Sequence, residues 1–311
     1  MDLKTRVKKI LNWLYILPIW YQVKKFFIRY TLVPLTYHQT SKLNIMTSME
    51  SIEYIIKNKA SISRYGDGEF KIIWGESNGF QDTNLILGKR LLQILTSPPI
   101  SNHIVAIPYS IKDYSEIAHP FNFWPVFTAV NYYRLKKLLD YNRVYADALL
   151  SRFYIDYLNK ERSVSHLNLL KNLWNNQNIL IIEGKQSRTG IGNDLYDNAK
   201  SIRRILGPSR NAYDLYDKML EAIKRHADIT DLILLSYGMT ATVLAYDLAS
   251  LGYWAVDIGH LDLEYEWFKM GVKEKVTIKG KFTNEVSCHE HIEACYDKKY
   301  LNQIIEDISN E

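Results

Sequence analysis

The sequence predicts an α/β domain with a mostly parallel sheet flanked by helices. Short apolar runs bounded by Gly, Pro or Asn recur along the body, as in Ile104–Tyr109, Asn178–Gly184, Asp231–Gly238 and Trp254–His260. Stretches with three- and four-residue apolar spacing lie between them. The links are short, which suits parallel pairing through right-handed crossovers.

Each element has its own signal. Ser61–Tyr65 is a short extended stretch, and IVAIPY at Ile104–Tyr109 reads as a buried strand. NILIIEG at Asn178–Gly184 is apolar on both faces, as a central parallel strand must be. Asp194–Leu206 has helical spacing, with Leu195, Ala199, Ile202 and Leu206 on one face and Gly207-Pro208 as the stop. Tyr213–His226 and Met239–Leu251 read as further helices, the second closed by Gly252. In such a sheet ligands gather beyond the carboxyl ends of the strands. The polar, glycine-containing segments leaving those ends are Glu183–Asp194, Ser236–Thr242, Gly259–Glu266 and the one after Ser61–Tyr65.

Charge divides the 311 residues. Residues 1–40 carry seven Lys or Arg (Lys4, Arg6, Lys8, Lys9, Lys24, Lys25, Arg29) against one acid, Asp2. The remainder is close to neutral, which argues against a general nucleic-acid binder. Trp13, Trp20, Tyr15, Tyr21, Phe26 and Phe27 are interleaved with those cations, and Pro18 and Pro34 divide the segment. Rings beside cations suit a helical arm lying on an anionic membrane surface. No run of about 18 apolar residues predicts a bilayer span. Two cysteines give no disulfide framework, so a cytoplasmic setting is expected, with the inner membrane face as the arm's surface. Cys288, His289, His291 and Cys295 match no zinc-finger spacing. The expected organisation is an arm over 1–44, a body over 45–285, and a helical extension over 286–311 packed on the body.

Four constellations carry chemistry. Arg64-Tyr65-Gly66-Asp67-Gly68-Glu69-Phe70 places two carboxylates two residues apart. On an extended stretch they would point the same way and share Mg²⁺ or Mn²⁺. Glu183–Asp194 (EGKQSRTGIGND) leaves a strand for the expected helix. The Gly190 and Gly192 amides, Lys185, Arg188 and the helix start would together cradle a diphosphate, with Arg203, Arg204 and Asn211 downstream. It is neither a P-loop nor a dinucleotide fingerprint, which disfavours an oxidoreductase. Alternation in Asp257–Trp267 would put His260, Asp262, Glu264 and Glu266 on one face of an extended segment, as candidate general bases. Ser236–Thr242 runs from a strand into a helix, with Thr240 or Ser236 as a cap.

In this order the pieces resemble the GT-D-type glycosyltransferases, a bacterial family formerly filed as a domain of unknown function. The matching text is RYGDGEF, EGKQSRTGIGNDLYDNA, SIRRILGPSRN, MTATVLAYD and DIGHLDLEYEWF, across roughly residues 45–285. The resemblance implies a Rossmann-like domain and metal-dependent transfer of a hexose, typically glucose, from a UDP-sugar to a growing glycan. It implies metal ligation by Asp67 and Glu69 through Mn²⁺ or Mg²⁺. It implies nucleotide-sugar binding by Ser187, Arg188, Gly190, Asn193 and Asp194, with Arg203, Arg204 and Asn211 nearby; Arg64, Gly192 and Thr240 adjoin these. Asp262 and Glu264 match an acidic active-site motif, with His260 beside it. The expected partners are the donor and a lipid- or protein-linked glycan. A metal-dependent phosphoesterase and a non-catalytic nucleotide-sugar-binding scaffold are the alternatives.

Overall fold

The computed structural model describes residues 23–24, 26–79, 81–117, 123–283, 286 and 294–309. Among the described residues nine strands form one sheet: β1 Asn44–Ile45, β2 Ser61–Arg64, β3 His103–Ile107, β4 Val144–Asp147, β5 Asn178–Gly184, β6 Ser201–Gly207, β7 Leu232–Ser236, β8 Trp254–Asp257 and β9 Ile304–Asp307. Their order is β1-β4-β3-β2-β8-β7-β5-β6-β9, and all the pairings are parallel. Side chains alternate across it. Ile62, Ile104, Ile181, Leu234 and Val256 pack on one face with Leu167, Leu170 and Trp267. On the other face Val105 and Ile107 meet Phe70, Leu91 and Phe127, and Leu180, Ile233 and Ala255 meet Met219 and Leu244. The expected α/β architecture is therefore observed.

Three local expectations are corrected. The helix expected over Asp194–Leu206 is instead turns followed by β6. The apolar spacing matched a helical period, but seven residues of β6 pair in register with β5, from Asn178↔Ser201 to Gly184↔Gly207. Pairing on both edges outweighs that local signal. The extended segment expected after β8 is a helix, Leu261–Met270, closed by Gly271 in the left-handed region. This helix is buried almost all round, so its pattern satisfied a period of two as well. The C-terminal extension is only partly helical. Helix Lys298–Gln303 leads into β9, which joins the sheet beside β6, so this segment completes the domain.

The arm lies largely outside the described residues. Its described end is helical through Val33–Thr40, with Ile28 and Val33 packed against Ala129 of helix Phe123–Val130. No helix among the described residues is long and apolar enough to cross a membrane. Cys288, His289 and His291 also lie outside the described residues, and Cys295 is a half-buried free thiol.

Candidate functional site

A cavity of about 890 Å³ opens at the carboxyl ends of the strands. It is walled by the segments that follow β2 through β8, including Arg64–Glu69, Gly184–Ser187, Pro208–Ala212, Ser236–Thr240 and Asp257–His260. β2 and β8 are neighbours at its centre, and the chain leaves β2 for β3 on one flank while β8 is reached from β7 on the other. Such a reversal opens a crevice above the sheet.

Three acids line its floor. Helix Asp67–Ile73 begins just after Gly66, so Asp67 and Glu69 sit in its first turn and not on an extended stretch. Positions i and i+2 of a helix do not face each other; both side chains reach the cavity because the helix presents its end to it. Asp67 pairs with Lys71 at 2.6 Å. Glu69 Oε2 accepts the Gly66 amide at 2.6 Å. Burial pushes the Glu69 carboxyl up to about 7, and the charges of Asp257 and Asp67 add to the rise. Asp257, at the end of β8, is raised mainly by burial, opposed by Arg64 and the Gly259 amide. Arg64 runs beneath Gly259, which has φ +49° and whose absent Cβ would lie 2.8 Å from Arg64 Nη2. The guanidinium bonds Ser151 Oγ, and burial lowers its pKa against the pull of Asp257 and Glu69.

A divalent cation fits this donor set. The oxygens are hard, their negative charge is under-compensated, and Mg²⁺ or Mn²⁺ commonly takes one or two carboxylates and completes its shell with phosphate and water. No three acidic, His or Cys side chains converge as a closed metal cage among the described residues.

The flank at β5, β6 and β7 suits an anion. Helix Gly238–Ser250 starts at the cavity with no side-chain cap and no acid in its first turn. Its first amides and partial positive charge are therefore turned toward the cavity. Thr240 Oγ1 there is buried without a hydrogen-bond partner, so it does not cap the helix. Ser187, Ser209 and Arg210 line the same flank. Gly184 lets the loops after β5 and β6 close up, since a Cβ on it would lie 3.1 Å from Ser209 Cα. Asn211 also lines the cavity and clasps Asp82, accepting its amide at 2.9 Å and donating to its carboxylate at 2.8 Å.

The structure separates the other expected site residues from this cavity. The Gly190 amide and Asn193 Nδ2 both donate to Asp262 Oδ1 at 2.8 Å. Lys281 Nζ, itself buried, donates to Asp262 Oδ2 at 2.6 Å and to Glu266 at 2.8 Å. Glu264 is buried and accepts the amides of Tyr154 and Ile155 at 2.7 and 2.6 Å; burial pushes its carboxyl up to about 7. Asp262 and Glu264 thus stabilise the fold around the cavity and do not line it, because successive even positions of a helix diverge. Only His260 of that motif lines the cavity.

Most residues of the expected diphosphate cradle likewise lie apart from this cavity. Gly190, Gly192, Asn193 and Asp194 line a separate, smaller recess of about 430 Å³. Asp194 bonds Tyr265 Oη at 2.7 Å, which holds its carboxyl low. Arg188 donates to the Gly280 carbonyl at 2.9 Å. Arg204 is buried against Glu183 at 2.6 Å, and Glu183 also accepts the Thr189 amide. Arg203 pairs with Asp231 at 2.5 Å. Of the expected nucleotide-sugar residues, Arg64, Ser187, Asn211 and Thr240 line the main cavity. Sequence reasoning missed Asp257, Ser209 and Arg210 as site residues; their positions at the ends of β8 and β6 were the available signal.

Fold and site together define a Rossmann-like domain whose strand ends gather acids and an uncapped helix start around one cavity. Comparison with known proteins narrows the class. The family described as "Glycosyltransferase GT-D fold" matches residues 62–286. The chain belongs to this family of glycosyltransferases. "Probable glycosyl transferase Gly" of Streptococcus gordonii is 38% identical over 277 residues, covering 87% of this chain and 39% of that protein. "Glycosyltransferase GlyD" of Streptococcus pneumoniae serotype 4 is 36% identical over 264 residues, covering 84% of this chain and 32% of that protein. The chain therefore spans well under half the length of these curated relatives. A solved structure, "The highly conserved domain of unknown function 1792 has a distinct glycosyltransferase fold", is similar at a TM-score of 0.85 and 36% identity, over 89% of this chain and 100% of that one. "A New Glycosyltransferase (DUF1792) from Streptococcus sanguinis" is similar at 0.81 and 37% identity, over 86% and 100%.

Proposed function

We propose that this domain transfers a hexose, glucose first among candidates, from a UDP-sugar to a growing glycan with the help of Mn²⁺ or Mg²⁺. The observation that carries the reading is one cavity holding Asp67, Glu69 and Asp257 beside the uncapped helix start at Gly238. Asp67 and Glu69 would hold the cation, which supplies charge neutralisation for a departing diphosphate. The Gly238–Thr240 amides, Arg210, Ser187 and Ser209 would bind the phosphates directly. Arg64 braces the floor between Asp257 and Glu69. His260 and Asp257 are the cavity groups suited to accept the proton of an acceptor hydroxyl. A thermal-shift screen of UDP-, GDP- and dTDP-sugars, with and without Mn²⁺, tests the donor. A midpoint rise that requires both UDP-glucose and metal is expected; no rise with any nucleotide sugar would refute the reading.

A cytoplasmic protein with its arm on the membrane surface is part of the same proposal. At the described end of the arm, Phe26, Phe27, Tyr30 and Leu35 are exposed with Lys24, while Ile28 and Val33 face the body. Outward rings beside a cation suit an anionic headgroup layer. Deleting residues 1–40 should abolish sedimentation with phosphatidylserine vesicles while donor binding persists. Undiminished sedimentation of the deleted form would overturn this part.

A further inference from the structure

We propose that Lys71 holds Asp67 in the place of the metal, and passes from Asp67 to the donor's diphosphate once the cation is bound. This rests on the metal-dependent donor reading and adds a residue that links the two ligands.

Lys71 lies one turn after Asp67 on helix Asp67–Ile73, and both line the cavity. Each acid at the start of that helix has one carboxylate oxygen engaged. Glu69 Oε2 accepts the Gly66 amide at 2.6 Å, and Asp67 Oδ2 accepts Lys71 Nζ at 2.6 Å. The two partners differ in kind. The Gly66 amide is part of the backbone and stays. The Lys71 ammonium ends a flexible four-carbon stem and is half-buried, so it can turn away while the helix stays intact. Arg64, also beside these acids, is pinned instead: it bonds Ser151 Oγ and runs beneath Gly259.

A divalent cation and the ammonium compete for Asp67. Two cations on one carboxylate repel, and the doubly charged one is held more strongly. A half-exposed pair at i,i+4 contributes little of its own, so Lys71 yields readily. Its stem remains rooted in the cavity wall, so the released ammonium stays within the cavity. The strongest anion to arrive there with the metal is the diphosphate, and a lysine ammonium binds phosphate as a mobile point charge. Asp67 then has a positive partner in both states, Lys71 first and the metal afterwards. The two ligands are also coupled, because the metal frees a cation that the nucleotide uses. A purely structural pair predicts the opposite sign: Lys71 would brace Asp67, and its loss would weaken the metal.

Mn²⁺ binding alone, followed by the paramagnetic resonance signal of free Mn²⁺, is the first measurement on the full chain. Calorimetric binding of UDP and of pyrophosphate at saturating Mn²⁺ is the second. Lys71→Met should bind Mn²⁺ alone about two- to fivefold more tightly than wild type, since a competing ion pair is removed. The same variant should bind UDP about tenfold more weakly at saturating Mn²⁺, through loss of one charge-assisted hydrogen bond. Lys71→Arg should recover most of the UDP binding. Weaker Mn²⁺ binding by Lys71→Met would make Lys71 a brace on Asp67 and overturn the exchange. So would a UDP affinity indifferent to Lys71→Met, or Mn²⁺ that binds neither wild type nor Lys71→Met until UDP is added. Pyrophosphate separates this inference from the donor reading. A wild-type protein that binds pyrophosphate with Mn²⁺ in a Lys71-dependent way, but not UDP, would overturn the nucleotide donor and leave the exchange standing. Binding of neither would overturn both.

Discussion

Two groups of carboxylates flank the same sheet ends and have opposite fates. Asp262 and Glu183 are buried and matched by Lys281, by Arg204 and by backbone amides, and Glu264 is buried with two backbone amides on Oε1 and no partner on Oε2. Asp67, Glu69 and Asp257 line the open cavity, and among the described residues Glu69 and Asp257 have no cation in hydrogen-bonded contact. Both groups look alike in sequence, as acids near strand ends with alternating spacing. What separates them is whether the protein itself provides their partners. A carboxylate supplied with amides and a buried lysine is a brace; one facing a cavity with its charge under-compensated is available for a ligand or metal.

The largest expected effect breaks the brace. Lys281→Met leaves Asp262 charged, buried and unmatched, which should cost about 3–5 kcal/mol of stability. Urea unfolding measures it, and Lys281→Met combined with Asp262→Asn should recover much of the loss. An unchanged midpoint in the single variant would mean the pair braces nothing.

The next effect lies at the cavity. Glu69→Gln should reduce nucleotide release by about 10²–10³-fold with little change in melting temperature, whereas Asp262→Asn should do the reverse. Equal activity losses in the two variants would erase the distinction between the groups.

The smallest effect concerns pH. Burial raises the Glu264 carboxyl in the folded chain from an ordinary 4.5 to about 7. Between these values the unfolded chain releases the proton and the folded chain keeps it. Its contribution to stability is therefore present below pH 4.5 and declines as pH rises toward 7, by at most about 1.4 kcal/mol per pH unit. Glu264→Gln should flatten that part of the stability profile. A wild-type profile identical to that of the variant would contradict the assigned shift.

The alternation of strand and helix, the carboxyl-end location of the site and the glycine-flanked acids at Asp67 and Glu69 were legible in sequence, because buried parallel strands are apolar on both faces and the segments leaving them must be polar. The partner of the Gly190 amide was not legible, since a glycine-rich loop with an amide donated to a buried carboxylate reads the same as one whose amides await a phosphate.

Composition and periodicity alone therefore determined the layered parallel architecture, the cationic arm and the candidate acids, since these depend on side-chain character along a strand or helix. Only tertiary structure decided which acids are braces, that β6 is a strand, that the C-terminal segment completes the sheet, and which helix start faces the cavity. Those outcomes depend on pairing and charge compensation between residues about 70 to 100 positions apart, such as Gly190 with Asp262 and Arg204 with Ile304 and Gln303, and such partners leave no periodic mark on either segment.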